Sequence, residues 1–201
     1  MKKLILSLLL APILLLSQPS FDVVDVNGNN WNSEEILEQG KTIVIQFFSP
    51  GENCWPSQNS LINLREAWYT TLCERDDLFF IQVAEWGDST ETINYINQYS
   101  NPMIPTVIGE WQGYSLTYEW MDWGLQWSYE CWLIRPDGSY EYDIPYMWDL
   151  EQWSLLDLLE NEGFDINCHD NYYDFESNET LGHTECNHPA EYSLPNGDLD
   201  S

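Results

Sequence analysis

KTIVIQFFSPGENCWPSQNSLINL, residues Lys41 to Leu64, decides how this chain is read. Thr42 to Phe48 is a short β-branched and aromatic run bounded by Gly40 and by Pro50-Gly51, which predicts a buried strand. Leu61, Ile62, Leu64, Ala67 and Trp68 then recur at helical spacing. Cys54 therefore falls at a strand-to-helix junction. Backbone N–H groups and the positive end of a helix dipole stabilise a thiolate at such a place. Three residues further on, where a second cysteine would complete a dithiol pair, the chain has Ser57.

Working outward, the N-terminus must be set aside first. Met1-Lys2-Lys3 is a basic start, Leu4 to Leu16 is apolar, and small or polar residues follow to Ser20. This predicts a secretory signal over residues 1–17, with cleavage between Ser17 and Phe21. The apolar run is short for a membrane span, and no later segment is long and apolar enough for one. About 180 residues remain, enough for one domain over 18–166 and an appendage over 167–201.

The charge is extreme, with 6 Lys and Arg against 34 Asp and Glu and a formal net charge of −28. Such a surface repels nucleic acid and anionic lipid heads, and no nucleic-acid partner is expected. The 11 Trp and 12 Tyr argue against a disordered acidic chain. Five cysteines in an exported chain predict at least one disulfide and one thiol left over. Cys168 and Cys186 bracket a small acidic segment and are the expected loop bridge. That leaves Cys54, Cys73 and Cys131 as candidates for a free or exchanging thiol.

Along the chain, Phe21 to Val26 meets the turn signal Asn27-Gly28, and a short helix begins at Ser33 and stops at Gly40. The long helix is expected from Ser57 to Leu72. Leu78 to Ala84 reads as a second buried strand, and Asp88 to Glu91 as a capped helix start. Ile104 to Ile108 reads as a short strand, and Gly109 to Leu125 as irregular. Cys131 to Ile134 and Ser139 to Tyr142 flank the turn Arg135-Pro136-Asp137-Gly138 and read as a hairpin. A final amphipathic helix is expected from Glu151 to Asn161. Strands alternating with helices predict an α/β protein with a mixed central sheet flanked by helices. The acidic C-terminal appendage holds all three histidines, so no Ser-His-Asp arrangement falls inside the domain. Cys168, His169, His183, Cys186 and His188 match no zinc spacing, and no metal or other cofactor is called for.

The order of these elements and four local motifs resemble the thioredoxin-like superfamily, most closely its exported redoxins. FDVVDVNGNNWNSEEILEQGKTIVIQFF resembles the family's opening hairpin, helix and first central strand. SPGENCWPSQNSLINL resembles its Cys-x-Pro-Cys loop and helix, read here as Cys54-Trp55-Pro56-Ser57 with Asn53 beside it. DSTETINYINQYSNPMIPTVIG and CWLIRPDGSYEYD resemble its inserted helix and strand and its penultimate hairpin.

The resemblance implies a thioredoxin-like fold over Phe21 to Phe164 and thiol redox chemistry at Cys54. The chain departs from the pattern at Ser57 and at the position usually held by a cis-proline facing the cysteine. Counting back from Leu133-Ile134, that position is Tyr129, with Pro105 the competing assignment. A cis peptide before Tyr129 would cost about 3–4 kcal/mol, so trans geometry is expected.

Disulfide exchange needs a second sulfur to resolve the mixed disulfide, and a serine cannot supply it. Cys54 is therefore read as a monothiol, with Ser57 a hydrogen-bonding neighbour and Tyr129 lining the site. Cys131, two residues beyond Tyr129 on the same side of its strand, is the candidate resolving partner. Cys73, at the far end of the helix, would lie roughly 25 Å away. A peroxidase would need an arginine over the cysteine, from Arg65 or Arg135. The expected partners are a thiol or disulfide protein or a small thiol, and the expected setting is periplasmic or secreted, as a monomer. The alternative is a redox-inactive binding module on the same scaffold.

Overall fold

The computed structural model describes residues 18–51, 54–71, 76–145, 147–150 and 154–166. The expected leader, Asn53, Cys73 and the Cys168–Cys186 segment lie outside them.

The run Thr42–Phe48 forms β3, and all seven of its residues are buried. A strand apolar on both faces must sit mid-sheet with layers on either side. β3 does so. It pairs in parallel with β4 (Leu78–Ala84), from Thr42 opposite Leu78 to Phe48 opposite Ala84. On its other edge it pairs antiparallel with β6 (Cys131–Ile134), Gln46 opposite Cys131. β5 (Thr106–Val107) and β7 (Tyr140–Glu141) complete the order β5-β4-β3-β6-β7. A separate hairpin of β1 (Asp22–Val24) and β2 (Asn30–Asn32) precedes it. Its turn is closed on the Asp25 carboxylate, which accepts from the Asn27 and Asn29 backbone N–H groups and from Trp31 Nε1.

The period-two alternation of β3 divides the core. Val44 and Phe48 face Leu61, Leu64 and Ala67 of α2 (Trp55–Thr71), Tyr95 and Ile96 of α3 (Ser89–Tyr99), and Leu155, Leu156 and Leu159 of α5 (Ser154–Asn161). Ile43, Ile45 and Phe47 face Ile36 and Leu37 of α1 (Ser33–Glu38) and Leu116 and Trp120 of α4 (Tyr114–Met121). Asp88 caps α3 reciprocally with Glu91, as the sequence predicts.

The segment expected to be irregular is instead ordered. Gly109–Gly113 makes a π-helical turn that runs directly into α4. The two glycines permit it. A Cβ on Gly109 would collide with the Trp86 backbone, and one on Gly113 with the Ala84 carbonyl oxygen. That close approach brings α4 onto the sheet. Trp120 is then fully buried between Phe47 and Trp132, each ring centroid 5.1 Å away. Such aromatic pairs add about 0.5–1.5 kcal/mol each beyond area burial. Among the described residues no helix is long and apolar enough to cross a membrane.

Candidate functional site

At the C-terminal end of β3 the chain leaves the sheet through Ser49, Pro50 and Gly51 and re-enters helix at Trp55. Cys54 stands at the junction. Its carbonyl accepts the first helical bond from the Gln58 N–H at 3.0 Å and a second from the Tyr95 hydroxyl at 3.3 Å. Pro56 lies in the first turn, where its missing N–H costs no hydrogen bond. Cys54 is 6% exposed and disulfide-bonded. The reading of Cys54 as a lone thiol is thereby corrected: its sulfur is paired, and the second sulfur does not come from the loop.

Nor does it come from Cys131, which is the free cysteine of the described residues. Cys131 is fully buried opposite Gln46 in the core beneath α2, and burial pushes its thiol well above the usual range. A thiol so protonated is a poor nucleophile. The expectation that Cys131 resolves Cys54 is corrected accordingly.

Ser57 occupies the second position of the loop and is fully buried. Its Oγ accepts the Ser49 N–H at 2.9 Å. From there a polar chain runs beneath the loop. Ser49 Oγ donates to Glu85 Oε2 at 3.0 Å and accepts from Trp86 Nε1 at 2.6 Å, and the Glu85 carboxyl also bonds to the Ser128 side chain. Burial raises the Glu85 carboxyl to about 7, against the lowering effect of Ser49 and Ser128.

Tyr129 lies where the loop entering β6 faces α2. Its carbonyl accepts from Gln46 Nε2 at 2.8 Å and from Ser60 Oγ at 3.1 Å. The peptide before it is trans, since the described residues contain no cis bond. Pro105 is remote from this contact: it adjoins β5 at the sheet's edge, and its carbonyl accepts from the Gln82 N–H. The loop is held by the buried carboxylate of Glu130. One of its oxygens accepts the Gln126 and Trp127 N–H groups at 2.9 Å each, and the other accepts Trp132 Nε1 at 3.3 Å. Burial lifts this carboxyl, too, to about 7. Glu85 and Glu130 thus grip one loop from two sides. Sequence reasoning missed both, because nothing distinguishes them from the other acidic residues except burial.

The arginines weighed for a peroxidase are engaged elsewhere. Arg135 pairs with Glu141 and Glu162 at the opposite end of the sheet, and Arg65 pairs with Glu66. No cluster of metal-binding side chains occurs among the described residues.

No protein-family model matches the chain, and no curated protein matches it. Solved structures do. The C-terminal domain of a proposed thiol-disulfide oxidoreductase from Bacteroides thetaiotaomicron superposes with a TM-score of 0.57 at 13% identity, covering 72% of this chain and 91% of that one. A thiol-disulfide oxidoreductase from Bacteroides fragilis gives 0.55 at 13% identity, over 73% and 98%. The thioredoxin domain of a thiol-disulfide oxidoreductase from Bacteroides vulgatus gives 0.52 at 15%, over 75% and 96%. The chain has the thioredoxin-like fold, as the sequence motifs imply.

Proposed function

We propose that this chain is an exported thiol–disulfide exchange protein. Cys54 is the exchanging sulfur, and its resolving partner is a cysteine outside the Cys-Trp-Pro-Ser loop. The observation that carries this reading is a disulfide-bonded Cys54 at the start of a helix on a thioredoxin-like scaffold, with Ser57 in the loop's other cysteine position. Export rests on the N-terminal sequence, and the fold of the neighbours supports a thiol or disulfide substrate.

The exchange runs as two attacks on sulfur. A substrate thiolate attacks Cys54 Sγ, the existing S–S bond breaks, and the partner cysteine leaves as a thiolate that takes up a proton. A second substrate thiolate then attacks the substrate's own sulfur in the mixed disulfide and releases the Cys54 thiolate. The substrate dithiol is oxidised by two electrons, and the protein disulfide is reduced by two. The helix start stabilises the departing Cys54 thiolate. Glu85, near neutrality and linked through Ser49 to Ser57, is placed to hold or release a proton beneath the loop.

A second reading has one observation in its favour: a Cys54 only 6% exposed suits a structural staple in a redox-inactive binding module. Insulin reduction driven by dithiothreitol separates the two. The exchange reading expects the native chain to outpace Cys54→Ala clearly, and equal rates favour the staple.

A further inference from the structure

On the side of the sheet covered by α1 and α4, a cleft of about 470 Å³ opens between β1, the start of α1, the π-helical turn and α4. That size suits a small organic molecule. The walls are tied to one another. The Phe21 N–H donates to Ser33 Oγ at 2.9 Å, and the Ser33 N–H donates to the Phe21 carbonyl at 3.0 Å, which fixes β1 to the start of α1. Gln112 Oε1 accepts the Val24 N–H at 2.6 Å and joins the π-helical turn to β1. From α4, Trp120 Nε1 donates to the Ser20 carbonyl at 3.2 Å. A cleft braced in this way is formed in advance, so a ligand need not order it.

Its lining joins apolar surface to charge of one sign. Phe21 and Leu116 reach it from the core, and Trp111 stands beside them. Trp111 is 55% exposed, the most exposed tryptophan among the described residues. A half-solvated indole offers hydrocarbon an apolar surface and a cation the face of its ring. Asp22 of β1, Glu34 of α1 and Glu119 of α4 line the same cleft and are exposed. Among the described lining residues there is no Lys, Arg or His. These carboxylates come from three elements and do not converge on one point, since no group of three metal-binding side chains occurs among the described residues. Carboxylates spaced around an apolar, aromatic surface match a cation whose charges are spaced along a hydrocarbon chain, rather than a single metal ion.

We infer that this cleft binds a linear aliphatic polyamine. Its methylenes cover Trp111 and Leu116, and its ammonium groups meet Asp22, Glu34 and Glu119. None of these residues belongs to the Cys54 site, so binding here stands or falls apart from the proposed function.

The test is calorimetric titration of the oxidised full-length protein with spermidine at about 0.15 M salt, where the general attraction of cations to an acidic surface is screened beyond about 8 Å. Spermidine should bind saturably at a single site. Trp111→Ala should weaken it about fivefold or more, the order of a cation–π contact. Glu119→Gln, an exposed and nearly isosteric change, should weaken it about twofold or more. Both variants are checked for their fold by circular dichroism. Magnesium chloride added at equal ionic strength should leave spermidine binding within about twofold of that in sodium chloride. Absence of a saturable site overturns the inference. Binding that neither variant weakens, or that magnesium abolishes, is that of a counterion on an acidic surface and overturns it equally.

Discussion

Ser57 Oγ accepts the backbone N–H of Ser49 at 2.9 Å, so the loop's second position is a structural tie between the end of β3 and the first turn of α2. The serine therefore has its own place in this loop, in which a buried N–H depends on it.

Removing that acceptor strands the Ser49 N–H. Ser57→Ala should lower unfolding free energy by about 1–3 kcal/mol, the cost of an unsatisfied buried donor, measured by urea titration. Ser57→Cys should cost less and should create a competing bond. Peptide mapping after reduction and reoxidation should find Cys54 bonded to the sulfur introduced three residues along, in place of its native partner.

Glu85 and Glu130 make stability pH-dependent with a definite sign. Both carboxyls are raised by burial from the usual 4.5 to about 7. A folded state that holds a proton more tightly than the unfolded chain loses stability as pH rises between those values. The contribution is fully present below about pH 4.5 and lost above about 7. Each tenfold difference in proton affinity is worth about 1.4 kcal/mol, so the loss is on the order of a few kcal/mol per group. The melting temperature should fall between pH 5 and 8. That slope should flatten in Glu85→Gln, which keeps an acceptor for Ser49 and does not titrate.

The glycines of the π-helical turn set the distance of α4 from the sheet. Gly109→Ala and Gly113→Ala would each drive a methyl into the β4 end, at the Trp86 backbone and the Ala84 carbonyl respectively. Each should destabilise by about 1–3 kcal/mol or more, as overpacking does. Gly109→Ala should in addition shift the indole N–H resonance of Trp86, whose Nε1 reaches Ser49.

Cys131 tests the assignment of sulfurs. Cys131→Ala should leave the Cys54 disulfide intact on non-reducing peptide maps and should not alter its exchange with glutathione. The substitution should cost stability only modestly, since one small buried group is lost.

Much of this fold is legible in the sequence. Thr42–Phe48, Leu78–Ala84 and Cys131–Ile134 are strands with the predicted bounds, because short runs apolar on both faces suit only the middle of a sheet. The α3 cap is legible because Asp88 and Glu91 stand at capping-box spacing. α4 is not, because its turn depends on Gly109 and Gly113 approaching backbone far away in sequence. At the site, the place of Cys54 between strand and helix can be read from local motifs. The partner of Cys54 cannot, since pairing is set by tertiary contact rather than by spacing. The sealing of Cys131 and the burial of Glu85 and Glu130 have the same origin.

An exchanging Cys54 disulfide differs from one that merely braces the fold in how readily it is reduced. Its reduction potential tests this most directly, read by equilibrating the full-length protein with dithiothreitol or glutathione redox buffers and counting alkylated Cys54 by mass spectrometry. The expected potential is above about −300 mV, in the range where thiol–disulfide oxidoreductases work. A value below about −300 mV, the range of inert structural disulfides, would contradict it.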